Sequence, residues 1–145
     1  MMIRFSQERQ GKMTVPITGK ILLMDDEERI RTVTGQILRM LGYETELARN
    51  GQEAVEMYRQ AMEAGAPFTA VILDLTIPGG MGGKETIQKL LEIDPAVKAL
   101  VSSGYSSDPA MSRFREHGFS GIVAKPYRVA ELKKALEEAI EGQGL

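Results

Sequence analysis

The sequence predicts an α/β domain built on a doubly wound parallel sheet of five strands. Two observations predict it. Five short apolar runs alternate with five stretches whose apolar residues fall at helical spacing. The clearest of the runs, Ala70-Val-Ile-Leu73, is apolar without interruption, as a strand covered on both faces must be.

The elements follow in order. Residues 1–19 carry no sustained periodicity and contain Gly11, Pro16 and Gly19, so they read as an N-terminal tail or linker. Lys20 to Met24 is the first strand, stopped by Asp25-Asp26-Glu27-Glu28. Ile30, Val33, Ile37, Leu38 and Leu41 mark the first helix; its acidic start suits the helix dipole, and Gly42 suits its end. Glu44 to Ala48 is a short strand. Asn50 opens a second helix carrying Ala54, Val55, Tyr58 and Met62, which ends near Gly65. The third strand closes on Asp74. The loop Leu75 to Gly83 holds Pro78 and four glycines; it reads equally as a turn into the third helix and as a loop that lets a partner approach Asp74. Ile87, Leu90 and Leu91 line the third helix before Pro95 breaks it. Val97 to Val101 is strand four, followed by Ser102-Ser103-Gly104. Pro109 to Glu116 forms a short, weak helix. Ile122 to Ala124 is strand five, ending at Lys125-Pro126, and Val129, Leu132, Leu136 and Ile140 lie on the last helix. The folded unit is expected over residues 20–141, with 142–145 a C-terminal tail.

With 145 residues, 43% of them hydrophobic, the chain suffices for one domain with a real core. A net charge of −2 offers no footprint for nucleic acid. The absence of cysteine excludes disulfides and thiolate metal sites. The apolar runs are too short to insert in a membrane, and the first residues contain no signal-peptide core. A cytoplasmic protein is expected, monomeric or weakly dimeric.

Five successive β–α units with right-handed crossovers bring the C-terminal strand ends to one edge, where sheets of this kind bind ligands. Asp25 and Asp26, Asp74, Ser103 and Lys125 would meet there. Singly, each has a bland reading as a turn, cap or surface residue. Together they make a chemistry. Three packed carboxylates repel one another unless a cation intervenes, and Mg2+ suits a site of few carboxylates completed by water and phosphate oxygens. Lys125 would supply positive charge to a carboxylate or phosphoryl group, and Ser103 a hydroxyl donor. These are the parts for phosphoryl transfer onto an aspartate.

The runs Met24-Asp25-Asp26-Glu27-Glu28, Ile72 to Pro78, Ser102-Ser103-Gly104-Tyr105 and Ala124-Lys125-Pro126-Tyr127 resemble the motifs of response-regulator receiver domains, over roughly residues 19–141. The resemblance implies a flavodoxin-like (βα)5 fold with strand order 2-1-3-4-5. It implies Asp74 as phosphoacceptor, Asp26 as a direct Mg2+ ligand, Asp25 as one acting mostly through water, and the Thr76 carbonyl as a further ligand. Ser103 would hydrogen-bond the phosphoryl group, Lys125 would pair with it, and the Lys125–Pro126 bond would be cis. A histidine kinase or histidine phosphotransfer domain would be the partner. The chain would act as a signalling module rather than an enzyme on other molecules. Asp74 to Met81 and Ser102 to Ser106 look most like receivers at the C-terminus of hybrid sensor histidine kinases; a stand-alone regulator is the alternative.

One departure stands out: Ile122 occupies the place, three residues before the lysine, where the family often carries a switching Tyr or Phe. Tyr105 or Tyr127 is a candidate substitute. Thr76 and Tyr105 sit where receivers tune dephosphorylation. The rival function is a Mg2+-dependent phosphatase with an aspartyl nucleophile, but such enzymes carry that aspartate on the first strand and a cap insertion. A flavin carrier would want a glycine- and hydroxyl-rich loop where this chain has four acids. His117 has no partner pattern and reads as a helix-end residue.

Overall fold

Continuous apolar strands need cover on both faces, and this is what the computed structural model, which describes residues 19–104 and 108–142, contains. Its elements are β1 (Lys20–Met24), α1 (Glu28–Met40), β2 (Glu44–Ala48), α2 (Gly51–Glu63), β3 (Ala70–Asp74), α3 (Gly83–Ile93), β4 (Ala99–Ser103), α4 (Pro109–Ser112), a 3₁₀ turn (Phe114–His117), β5 (Gly121–Ala124) and α5 (Val129–Glu141). All strand pairs are parallel, in the order β2-β1-β3-β4-β5. Alternation along each strand feeds two cores. Leu22, Leu73 and Val101 join Val55, Ile87 and Leu90 on one face. Ile21, Leu23, Ile72 and Leu100 join Leu38, Leu132 and Leu136 on the other. β3, at the centre, is buried at every position, whereas the edge strand β2 exposes Glu44 and Glu46.

Local chemistry sets most boundaries where expected. Asn50 is the N-cap of α2, its side chain accepting from the Glu53 amide at 3.0 Å. Gly42 follows α1 at φ 104°. On α1 the expected face holds for Leu38, with Ile37 and Leu41 packed against its core, but not for Val33. Val33 is 50% exposed, and the residues against the sheet are Thr34, Gly35 and Leu38, whose small members let the helix approach closely. Met62 is likewise exposed.

Strand four starts and ends two residues later than expected. Asp94 forms a turn that takes the amides of Ala96 and Val97, so Val97 is core without yet being strand. At the other end, Ser102 and Ser103 stay in the ladder opposite Asp74 and Ala124. Apolarity marked the core, not the extent of backbone pairing. The fourth helix is also shorter than expected. Capped by Asp108 with Pro109 in its first turn, it ends at Arg113 (φ −119°, ψ 42°), and the chain continues as a 3₁₀ turn closed by Gly118 at φ 100°. His117 ends that turn, its carbonyl accepting from Gln88. Residues 1–18, Tyr105 to Ser107 and 143–145 lie outside the described residues, so the tail assignments and Tyr105 belong to that part of the chain.

Candidate functional site

The sheet register builds the site. Met24 pairs with Leu73 and Asp74 with Ser102, so Asp25, Asp74 and Ser102 form a row across three adjacent strands, their side chains on one face. Lys125, just beyond β5, reaches back over this row. Its Nζ donates to Asp25 Oδ2 at 3.0 Å and Asp74 Oδ2 at 3.1 Å. The Lys125–Pro126 bond is cis.

Asp25 is fully buried and Asp74 is 4% exposed, while Asp26, one residue on, is exposed. Carboxylate oxygens of all three lie within 4.8 Å of one another. The Asp25 carboxylate also accepts the Glu27 amide at 2.9 Å, which holds the turn into α1. A cavity of about 260 Å³ opens above, lined by Asp26, Glu27, Asp74, Thr76, Pro78, Ser103, Gly104 and Lys125. Asp25 sits behind the lysine rather than on the cavity wall. Ser103, Thr76 and Asp26 are therefore brought together with Asp74 and Lys125, as their positions at the strand ends required.

The Asp74 pKa is raised to about 6, chiefly by burial; the Lys125 charge opposes this, Asp25 adds to it, and the hydrogen bonds from Lys125 and the Thr76 amide oppose it again. For Lys125, burial works to lower the value, but the bonds and charges of Asp25 and Asp74 outweigh it, and the ammonium stays above its ordinary range. A lysine shared by two of three packed acids leaves the group two positive charges short. A hard divalent cation beside Asp26 and Asp74 matches both the oxygen donors and this residual charge.

The glycines after β3 have a packing role. A Cβ on Gly82 would stand 2.5 Å from the Leu75 carbonyl oxygen, and one on Gly83 2.9 Å from that of Asp74. Side chains there would push α3 off the strand that carries Asp74.

Sequence reasoning missed two contributors. Arg31 Nη1 donates to the Asp25 carbonyl at 2.8 Å, bracing the acidic turn from α1. Ser102, given no role of its own in the sequence, shares a hydrogen bond of 2.6 Å with the Tyr127 hydroxyl. The spacing of Arg31 after Asp25, under two helical turns, was a signal for the first; nothing local marks the second, which joins residues 25 apart. Ile122 is 40% exposed on edge strand β5, and Tyr127 points to Ser102.

Comparison with known proteins bears on this geometry. Residues 21–137 match the family model described as the response regulator receiver domain. A response regulator receiver protein of Anaeromyxobacter sp. is 32% identical over 113 residues, covering 78% of this chain; the chain spans 45% of that relative's length. Sporulation initiation phosphotransferase F of Bacillus subtilis is 28% identical over 82% of this chain and 91% of its own. Among solved structures, the receiver domain of sensor histidine kinase PA1611 from Pseudomonas aeruginosa, with magnesium coordinated in its active-site cleft, superposes with a TM-score of 0.74 at 23% identity, over 86% of this chain and 99% of that one.

Proposed function

The chain belongs to the response regulator receiver domain family of two-component signalling, and from that premise we propose that Asp74 is its phosphoacceptor in a Mg2+-dependent transfer. The observation that carries the reading is the placement of Asp74. It ends the central strand, buried but at the mouth of an acidic cavity, and is bonded to Lys125. Family membership at this match makes the chain a signalling domain, and a phosphatase is not favoured: the acidic pair, not the candidate nucleophile, ends strand one.

An Asp74 carboxylate oxygen attacks phosphorus in line with the donor's P–N bond. An O–P bond forms as the P–N bond breaks, and the electron pair leaves with the donor imidazole, which takes up a proton. Asp26, Asp74 and the Thr76 carbonyl would hold Mg2+, with Asp25 acting through water; the ion supplies positive charge to the phosphoryl oxygens. Lys125 adds a second cation, fixed before the donor arrives, so the charge it stabilises costs little reorganisation. Ser103, on the cavity wall, donates to a phosphoryl oxygen. Its inward pull shifts a pre-existing equilibrium toward the active state.

The donor is a histidine kinase or a histidine phosphotransfer domain, met in the cytoplasm. Among the described residues no helix is long and apolar enough to cross a membrane. The domain works within a hybrid kinase or alone; the gene's full coding length discriminates between them. The site reading is tested by fluorine NMR with beryllofluoride, a phosphoryl mimic. A bound signal that requires Mg2+ and disappears in Asp74→Asn supports it, and a signal that survives the substitution refutes it.

A further inference from the structure

The ammonium of Lys125 is useful only if it stands still, yet it ends a flexible four-carbon stem on a loop beyond an edge strand. Its loop is pinned twice, to two adjacent residues of β4. The Lys125 amide donates to the Ser103 carbonyl at 3.1 Å. Two residues later, beyond Pro126, the Tyr127 hydroxyl meets the Ser102 side chain at 2.6 Å. Ser102 is wholly buried, and the Tyr127 ring packs against the core formed by Ile21, Leu23 and Ile72. Ser102 also faces the phosphoacceptor: it is the register partner of Asp74, and its carbonyl accepts the Leu75 amide at 2.8 Å. The strand carrying the nucleophile and the loop carrying the cation are thus both located by one serine.

We propose that Ser102 and Tyr127 are positioning residues for phosphoryl transfer, their hydrogen bond setting where the Lys125 ammonium stands relative to Asp74. This rests on Asp74 being the phosphoacceptor. Neither residue lines the acidic cavity. Ser102 stands beside Asp74 in the sheet but does not line the cavity, and the Tyr127 phenol, whose pKa burial pushes up to about 12, stays neutral. The bond is also what Ile122 cannot supply, since an aliphatic side chain on the outside of β5 has no polar atom to carry a change at β4 into the β5–α5 loop. Removing either hydroxyl leaves the other buried without its partner and frees the loop on one side.

The test compares wild type, Tyr127→Phe, Ser102→Ala and the double variant, each with saturating Mg2+ and acetyl phosphate. Phosphorylation rate, half-saturating acetyl phosphate, unfolding midpoint and the ¹⁵N signal of the Lys125 ammonium are measured. Either single change is expected to lower the maximal rate about three- to ten-fold, with half-saturation moving less than about two-fold, as loss of positioning does. The ammonium signal should shift or broaden. The double variant should match the singles, because both remove one interaction. Wild-type rates in the single variants, with only the unfolding midpoint lowered, would assign the bond to stability and overturn the proposal. So would losses that multiply in the double variant. A wild type that takes no phosphoryl group while keeping its ammonium signal would instead overturn the phosphoacceptor reading, and the proposal with it.

Discussion

Replacing Asp74 by asparagine in metal-free protein removes a charge that the fold holds at a cost, and should make the domain more stable. The carboxylate is 4% exposed, and its pKa rises from the ordinary 3.8 to about 6. The sign follows from proton counting. The folded value lies above the unfolded one, so between about pH 4 and pH 6 the folded state binds more protons than the unfolded state. This group therefore makes wild-type stability fall as pH rises through that window. Two units at about 1.4 kcal/mol each give a deficit of about 3 kcal/mol above pH 6. Asparagine, close in shape and without charge, escapes it. The assay is thermal or urea unfolding of both proteins in chelator at pH 4 and pH 7.5. The variant should unfold roughly 10 °C higher at pH 7.5 and close to wild type at pH 4. Adding Mg2+ should stabilise wild type far more than the variant, since the ion binds the folded carboxylate set. A variant no more stable at pH 7.5, or an advantage unchanged at pH 4, would refute the reasoning.

Other substitutions separate the remaining roles. Asp26→Ala should weaken Mg2+ more than Asp25→Ala, because Asp26 faces the cavity and Asp25 lies behind Lys125; metal titration by calorimetry would expose the reverse order. Lys125→Ala leaves two buried acids without their shared cation and should cost about 3 kcal/mol in metal-free protein. It should retain Mg2+ yet block the switch, and loss of the metal would contradict the role given to the lysine. Gly82→Ala, whose new methyl meets the Leu75 carbonyl, should destabilise by about 1–3 kcal/mol in urea unfolding. A neutral result there would mean that α3 does not need its close approach to β3.

Most of this architecture was legible because both faces of the sheet are covered. Ala70 to Leu73 could be read as a strand covered on both faces from apolarity alone, and Asp74 as its end from the first polar residue. The same rule misplaced β4. Val97 is buried in a turn and Ser102 is buried in a strand, and a pattern of apolar residues distinguishes neither. The break at Arg113 was hidden because a four-residue helix holds too little periodicity to show its end. In the site, side chains that terminate strands could be assigned from topology. Contacts made from outside the strand ends, Arg31 on the Asp25 carbonyl and Tyr127 on Ser102, depend on rotamers and distances that the order of residues does not carry.

The central claim is that Asp74 accepts a phosphoryl group with the help of a metal held by its acidic neighbours. Intact-mass spectrometry after incubation with acetyl phosphate, with and without Mg2+, tests it most directly on wild type and Asp74→Asn. The account predicts one added phosphoryl group on wild type with Mg2+ and none in the other three samples. A phosphoryl group that persists in Asp74→Asn, or forms equally in chelator, would contradict it.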